Sequence, residues 1–145
     1  MSMRIAVFLV LALGVSGVAH AQAPDPIETR QAGQDLLGST YGGIRAALTA
    51  KADVKSLELP ARAMARWMRQ FPSQFVKGTE QGHDTKAAPA IWTDSAGFQK
   101  LVTAFADDSD KLAQFAKAGD ADGVAAQVKV VGDGCGACHR GFRLR

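Results

Sequence analysis

The sequence predicts an all-α protein that folds as an antiparallel four-helix bundle. Four segments between Pro26 and Phe142 repeat apolar residues at intervals of three and four, the spacing that lines one face of a helix. No segment shows the alternation of apolar and polar residues expected of a half-buried strand. Two of the three connections are short, which favours antiparallel neighbours. Such bundles build cofactor sites between facing helices.

The first helix is predicted to run from about Pro26 to Ala50. Asp25 is a candidate N-cap, and proline suits the first helical position because its missing N–H has no partner there. Four residues recur at intervals of seven and share one stripe: Ile27, Gln34, Tyr41 and Leu48. Gln34 is thus a polar residue on an apolar face, where its amide needs a hydrogen-bond partner or costs about 1–3 kcal/mol.

The second helix is predicted from about Asp53 to Phe71, and Pro72 ends it. Pro60 lies inside this segment and is expected to kink the helix or to separate its first turn. Residues 72–91 then form a polar loop that contains two glycines and Pro89. A loop of that length in a compact domain is usually functional or packed on a site.

The third helix is predicted from near Trp92 to about Lys117, with Thr93 or Asp94 as its cap. A tight turn at residues 118–120 leads to the fourth helix, from Ala121 to about Phe142. Four glycines weaken the fourth helix in isolation but let a bulky group lie flat against its backbone: Gly132, Gly134, Gly136 and Gly141.

The first 21 residues have the features of a secretory signal peptide. Arg4 supplies a positive charge, Ile5–Leu13 is a short apolar stretch, and small residues place the cleavage site after Ala21 or Ala23. The alternative is an uncleaved anchor helix, but the apolar stretch is short for a membrane span. We expect export to the periplasm, with residues 24–145 forming one domain and no membrane association after cleavage.

The charge pattern argues against nucleic-acid binding. The chain has 17 Lys and Arg against 14 Asp and Glu, a formal charge of +3, and loss of Arg4 with the signal peptide lowers it to +2. Basic and acidic residues are interleaved rather than clustered on one segment. The exception is the C-terminal tail, which contains Arg140, Arg143 and Arg145.

The chain's two cysteines lie in one motif, Cys135-Gly136-Ala137-Cys138-His139. A Cys-x-x-Cys-His run is the attachment signature of c-type haem. Each thiol can add across a vinyl group of the porphyrin to form a thioether, and the adjacent imidazole can become the proximal ligand of the iron. Export agrees with this interpretation, because haem c is attached in bacteria on the outer side of the inner membrane.

Three other interpretations of the motif are weaker. A thioredoxin-like dithiol is expected at the start of a helix within a βαβ pattern. A structural zinc site normally needs about four ligands, and the mature chain offers only His83 besides the motif. A disulfide between Cys135 and Cys138 would close too small a loop to stabilise the fold much.

With this motif on the last helix of a bundle, the chain resembles the class II cytochromes c, the cytochrome c-prime family with its low-spin relatives. The resemblance covers essentially the whole mature chain and includes three stretches: Thr29-Arg30-Gln31, Pro89-Ala90-Ile91-Trp92, and Cys135 to Arg143. It implies a four-helix bundle with one covalently attached haem c. Cys135 and Cys138 would carry the thioethers, and His139 would be the axial ligand of the iron.

The resemblance also assigns residues around the haem. Arg143, one turn after His139, matches a basic residue near the proximal imidazole, and Arg30 matches a position that pairs with a haem propionate. Both arginines could instead be solvated surface residues. Gln34 aligns with the distal position, where low-spin relatives have a methionine and high-spin relatives have an apolar residue. Alternatively, Gln34 bonds another helix or the alignment is displaced by one residue.

Few residues could supply a sixth ligand to the iron. Met1 and Met3 leave with the signal peptide, so Met64 and Met68 are the remaining methionines, and methionines at helical spacing are more often core residues. His83 is a further candidate, but it lies in the long loop. We therefore expect an iron that is five-coordinate or weakly ligated on its distal side.

Two functions follow from this interpretation. The first is a periplasmic electron carrier whose redox partner has an acidic docking surface for the tail arginines. The second is a high-spin haem protein that binds nitric oxide or carbon monoxide, with Gln34 donating a hydrogen bond to the gas. An enzyme is not expected, because no nucleophile–base pair or phosphate-binding loop is evident. Relatives often dimerise through the first two helices, so a homodimer is a further expectation.

Overall fold

The computed structural model describes residues 23–145 and confirms the predicted four-helix bundle. Helix α1 spans Pro26–Thr49, α2 spans Glu58–Gln70, α3 is a single turn at Ala90–Thr93, α4 spans Ser95–Ala118 and α5 spans Ala121–Phe142. Helix α4 packs against both α2 and α5, and α1 packs against α2. The expected signal peptide over residues 1–21 lies outside the described residues and stays a prediction.

Aspartate side chains cap the N-termini of three long helices, α1, α4 and α5. Asp25 Oδ1 accepts the backbone N–H of Ile27 at 2.6 Å at the start of α1, and Asp120 Oδ1 accepts that of Gly123 at 2.9 Å at the start of α5. These bonds satisfy N–H groups that have no acceptor within the helix. The cap predicted at Asp25 is confirmed, as is the start of α5 at Ala121.

Helix α4 begins at Ser95 rather than near Trp92, so the predicted start was wrong. Residues Ala90–Thr93 form the separate turn α3, and Asp94 then leaves the helical conformation, with φ −124° and ψ 57°. Asp94 Oδ1 accepts the N–H of Gly97 at 3.0 Å, which makes Asp94 the cap. The helix ends at Ala118 and is followed by Gly119, whose left-handed φ of +76° suits a residue without a Cβ.

Pro60 has the expected effect on the second helix. Val54–Leu57 forms a 3₁₀ turn, and the α-helix itself begins at Glu58. Pro60 is then the third residue of α2, where a backbone N–H has no partner within the helix. The first turn of the predicted segment is therefore separated, and the proline does not interrupt the rest of α2.

The core contains apolar side chains from all four long helices. Six of the largest are almost fully buried: Ile44, Met64, Val102, Leu112, Val124 and Val131. Gly33 allows α1 to approach α2 closely, because a Cβ at this position would overlap the ring of Trp67. The hydroxyl of Tyr41 donates to the carbonyl of Val128 at 3.1 Å and so joins α1 to α5. These contacts hold the apolar stripe of α1 towards the other helices.

The chain between α2 and α3 begins with a 3₁₀ turn at Phe71–Gln74 and continues as an irregular segment over residues 75–89, here called the 75–89 loop. The end of this loop is hydrogen-bonded to the end of α5 and the residues after it. Ala88 N–H donates to the carbonyl of Phe142 at 3.0 Å, and Leu144 N–H donates to the carbonyl of Lys86 at 2.8 Å. Within residues 23–145, no helix combines the length and apolarity needed to cross a membrane.

Candidate functional site

A cavity of about 610 Å³ lies between the four long helices and the 75–89 loop. Its volume is within the range of roughly 300–1,000 Å³ that is usual for cofactor and small-molecule sites. Most of its wall is apolar: Leu37, Met68, Phe71, Phe75, Ile91, Phe98, Leu101, Phe105 and Phe142.

Helix α5 brings the cysteine–histidine motif to this cavity. Cys135, Cys138 and His139 all line it, and both thiols are half-buried and free. Cys135 and His139 are four residues apart in the helix and therefore share a face. The helix thus presents two thiols and an imidazole to whatever the cavity holds.

The surroundings of the two thiols do not favour a redox-active dithiol. Burial raises the pKa of Cys135, and burial followed by the charge of Cys135 raises the pKa of Cys138. Reactive dithiols have a lowered pKa, often because they lie at a helix N-terminus. The motif lies instead in the last turns of α5.

A zinc site is not formed by the part of the chain that the structure describes. Residues 23–145 contain no group of three or more His, Cys, Asp or Glu side chains that could hold a metal ion. His83, a residue of the 75–89 loop, lies against the first turn of α1 instead. Its Nε2 is 3.5 Å from Asp25 Oδ2, and its Nδ1 is 3.4 Å from Glu28 Oε1. It is not among the residues that line the cavity.

The surroundings of His139 favour its neutral form. Burial, followed by the positive charge of Arg143, lowers the pKa of His139. The neutral imidazole is the form that binds a metal ion. Arg143 is exposed, lines the cavity and pairs with Ala87 of the 75–89 loop in an isolated antiparallel bridge. The proximal role of Arg143 stays a prediction.

Gln34 lines the cavity from α1 and is half-buried. Its Nε2 donates to Met68 Sδ at 3.8 Å, a distance suited to a sulfur acceptor. Gln34 therefore does bond another helix, as one of the alternatives supposed, while it still borders the cavity. Met64 is buried in the core and does not line the cavity. The distal role of Gln34 stays a prediction.

Arg30 also lines the cavity, but it is buried, with 3% of its surface exposed, and so is not a solvated surface residue. Nη1 donates to Gln74 O at 3.2 Å and Thr79 Oγ1 at 3.0 Å, and Nη2 donates to Thr79 O at 2.6 Å and Thr85 Oγ1 at 3.0 Å. Its guanidinium carbon is 4.8 Å from the centre of the Phe75 ring. Burial lowers the pKa of Arg30, which remains charged.

The contacts of Arg30 do not test its expected pairing with a propionate. The guanidinium carries five N–H donors, and the four on its terminal nitrogens are directed at the 75–89 loop and the turn before it. The Nε–H donor is the one left for a further partner. The propionate contact therefore stays a prediction.

The glycines of α5 differ in what they leave room for. Gly134 lines the cavity, as expected of a position that lets a bulky group approach the backbone. The space beside Gly132 is instead taken by the hydroxyl of Tyr41, so that glycine accommodates a neighbouring helix. Only part of the glycine pattern therefore belongs to the site.

Several residues of the site were not expected from the sequence. Thr79 and Thr85 hold the guanidinium of Arg30, and Thr85 and Lys86 line the cavity. These residues lie in an irregular loop, where no periodic pattern could have identified them. The contact between Met68 and Gln34 joins residues 34 positions apart, which a helical stripe does not reveal.

The residues around the cavity fit a covalently held haem. Two thiols and an imidazole lie on one face, and apolar and aromatic side chains form most of the remaining wall. The cations Arg30, Lys86 and Arg143 also line the cavity, where they can balance carboxylates of a bound group. Thiols and an imidazole can attach and ligate a haem c, while apolar walls and cations suit its ring and its propionates.

Comparison with known proteins also supports a covalently held haem. The sequence profile of the family described as Cytochrome C′ matches residues 25–143. Cytochrome c′ from Rubrivivax gelatinosus is 34% identical over 121 residues, which cover 82% of this chain and 94% of that protein. Cytochrome c-556 from Agrobacterium tumefaciens is 30% identical over 121 residues, which cover 82% of this chain and 97% of that protein.

Solved structures show the same similarity. The crystal structure of the Rubrivivax gelatinosus protein superposes with a TM-score of 0.74. A variant of cytochrome c prime from Alcaligenes xylosoxidans, in its ferrous form with bound NO, has a TM-score of 0.74 at 30% identity. That alignment covers 83% of this chain and 94% of the variant.

Proposed function

This chain belongs to the cytochrome c′ family, which carries covalent haem c with its iron, and on that premise we propose that it binds a diatomic gas in the periplasm. The gas would be nitric oxide or carbon monoxide, held within the cavity beside Gln34. The observation that carries this proposal is the contribution of α1 to the cavity. Helix α1 is described over its whole length and contributes the Gln34 amide to the cavity wall. It contains neither a methionine nor a histidine.

The motif residues have separate roles in this proposal. Cys135 and Cys138 would hold the haem through two thioethers, which their thiols would form by adding across its two vinyl groups. His139 supplies its neutral imidazole to the iron, and its lowered pKa supports that form near neutral pH. When bound, the haem supplies an iron that takes up a gas molecule or one electron.

The residues of this chain determine what else reaches the haem. The aromatic wall formed by Phe71, Phe75 and Phe98 excludes water from one side of the cavity. Gln34 offers an amide N–H to a gas molecule, and Arg30 and Arg143 balance the propionates. Binding and orientation are the tasks of these side chains, so we propose a binding protein rather than an enzyme.

A relative with bound gas supports this choice of ligand. The Alcaligenes xylosoxidans variant that superposes on this chain was solved with NO. The same four-helix arrangement in this chain surrounds the cavity that contains the thiols and the imidazole. Gas binding by this chain is a proposal that rests on that similarity together with the composition of its own cavity wall.

The test is gas binding by the purified holoprotein, produced in a host that matures haem c. We expect one covalent haem per chain by mass spectrometry, an N-terminus at Gln22 or Pro24, and a high-spin spectrum that changes on titration with nitric oxide. Cys135→Ala is the matched control for covalent haem attachment, because it removes one thioether and leaves His139. A low-spin spectrum that does not respond to nitric oxide would contradict the proposal.

Electron transfer is the second candidate function. Arg140, which follows His139 in the chain, and Arg145 at the C-terminal end are both exposed, and they would attract the acidic surface of a redox partner. The rate of electron exchange with an acidic redox protein should then fall as salt is added, and Arg140→Glu should lower it further at low salt. A rate that is insensitive to both changes would rule out this docking surface.

The expected homodimer also stays a proposal. Leu36 and Leu59 on the first two long helices are each 70% exposed, and a shallow groove beside Leu59 includes Ile44 and Leu57. Burial of Leu59 against a second copy would remove this exposed apolar surface from water. Analytical ultracentrifugation of the wild type and Leu59→Asp measures this directly, and a monomeric wild type would exclude the dimer.

A further inference from the structure

Met68 differs from the other buried methionine of the described chain in having a polar partner. Both Met64 and Met68 lie on α2 and are almost fully buried, with 2% and 4% of their surfaces exposed. Only Met68 lines the cavity, and its sulfur accepts a hydrogen bond from Gln34 Nε2 at 3.8 Å. The sulfur therefore contacts a side chain that also borders the cavity.

A thioether can select one orientation of an amide. Its sulfur is an acceptor without a proton to donate, so it favours the nitrogen end of the Gln34 amide over the oxygen end. An amide NH₂ carries two donors, and the sulfur uses one of them. The second N–H then remains available on a side chain that lines the cavity. Without an acceptor on α2, either end of the amide could turn towards the cavity.

We propose that Met68 is a positioning residue, whose sulfur holds the Gln34 amide so that its second N–H donates to the outer atom of a bound diatomic gas. This inference rests on the gas-binding function proposed above and deepens it. In this role Met68 acts through Gln34, whose Nε2 contacts its sulfur at 3.8 Å. The pair favours a gas whose outer atom accepts a hydrogen bond and gives no such advantage to a ligand without an acceptor.

The experiment compares five holoproteins: the wild type, Gln34→Leu, Met68→Leu, the double variant and Met64→Leu. Leucine has nearly the volume of methionine, so the fold should tolerate each methionine-to-leucine exchange at a cost below about 1.5 kcal/mol. Met64→Leu is the matched control, since it makes the same change nearby on α2 without touching the cavity. Each protein is saturated with carbon monoxide for infrared spectroscopy, and nitric oxide dissociation is timed separately.

We expect Gln34→Leu and Met68→Leu to raise the C–O stretching frequency to similar values, because both remove the hydrogen bond to the gas. The double variant should show no further change, and Met64→Leu should match the wild type. Nitric oxide should dissociate roughly two- to tenfold faster from Gln34→Leu and Met68→Leu, the factor that corresponds to one ordinary hydrogen bond.

The outcomes separate this inference from the function on which it rests. A Met68→Leu protein that keeps the wild-type frequency while Gln34→Leu changes it would overturn the positioning role and leave gas binding intact. Equal frequencies in all five proteins would overturn the roles of both residues, again with gas binding intact. A wild type that binds neither gas would overturn the proposed function and the role of Met68 with it.

Discussion

At the scale of single residues, Gln34 shows how an anomaly in a pattern can mark a site. Its amide interrupts an apolar stripe of α1, and the structure places it at the cavity with Met68 as a hydrogen-bond partner. A half-buried amide on a core-facing stripe costs stability unless it is bonded. The sequence could therefore identify the residue, whereas its partner on α2 required the packing of two helices.

Gln34→Met should convert the iron to a six-coordinate, low-spin state. A thioether at the position that aligns with the methionine of low-spin relatives would compete for the distal side of the iron. Electron paramagnetic resonance of the ferric protein, together with the methionine-to-iron absorption band, measures the change. Gln34→Leu is the control, because leucine fills similar space and cannot bind iron. A high-spin Gln34→Met protein would mean that Gln34 is not on the distal side.

Arg30 has a structural role at this scale besides the propionate contact that was expected of it and stays a prediction. Its terminal nitrogens form four hydrogen bonds to residues 74–85, and two of the acceptors are backbone carbonyls. Arg30 therefore holds the chain that covers the cavity, whatever else its remaining donor contacts. The residue was identified from the sequence as important, but its acceptors lie 44–55 positions away and could not be inferred.

Arg30→Leu should lower the free energy of unfolding of the holoprotein by about 2–4 kcal/mol, since it leaves the carbonyls of Gln74 and Thr79 without their charged donor. Trypsin should also cleave faster after Lys77 and Lys86, which lie in the released loop. The control is Gln31→Leu, which removes one exposed hydrogen bond to His83 and should cost less than about 1 kcal/mol. Equal losses in both variants would show that Arg30 does not anchor the loop.

At the scale of elements, the helix bounds followed from local signals where those signals were clear. The caps Asp25 and Asp120 and the turn at Gly119 lie next to the residues they organise, so α1 and α5 were predicted closely. The start of α4 was wrong because Ile91 and Trp92 continue the apolar pattern across a break at Asp94. Periodicity does not detect a single residue that leaves the helical conformation.

Gly33 determines the contact between α1 and α2. Gly33→Ala should destabilise the protein by about 1–3 kcal/mol, because the new methyl group must displace the Trp67 ring. Gly42→Ala is the matched control on the same helix, since its added Cβ has no neighbour within 4 Å. That change should be neutral or stabilising by up to about 1 kcal/mol. Chemical denaturation gives both values, and a neutral Gly33→Ala would show that α1 can move away from Trp67.

At the scale of the whole molecule, one hydroxyl joins the first and last long helices. Tyr41 on α1 is the chain's single tyrosine, and it donates to Val128 on α5. Burial raises the pKa of Tyr41 above its ordinary value of 10.0. Because the folded state holds this proton more tightly than the unfolded state, Tyr41 stabilises the fold fully below pH 10 and progressively less as the pH rises through its folded pKa.

The free energy of unfolding should therefore fall above about pH 10, and Tyr41→Phe should reduce that fall. Subtracting the two pH profiles removes the contribution of the lysines, which titrate in the same range. Carbon-13 labelling of the single tyrosine gives its pKa in the folded holoprotein independently. A tyrosine pKa at or below 10, or identical profiles for both proteins, would contradict the prediction.

By itself, the sequence determined the four helical segments, the Cys-x-x-Cys-His motif and the family resemblance, because caps, stripes and a five-residue motif are encoded in neighbouring residues. The tertiary structure decided which residues surround the cavity. It buried Arg30 under the 75–89 loop, filled the space beside Gly132 with Tyr41 and placed Met68 against Gln34. These contacts join residues far apart in the chain, so they exist only once the helices have packed.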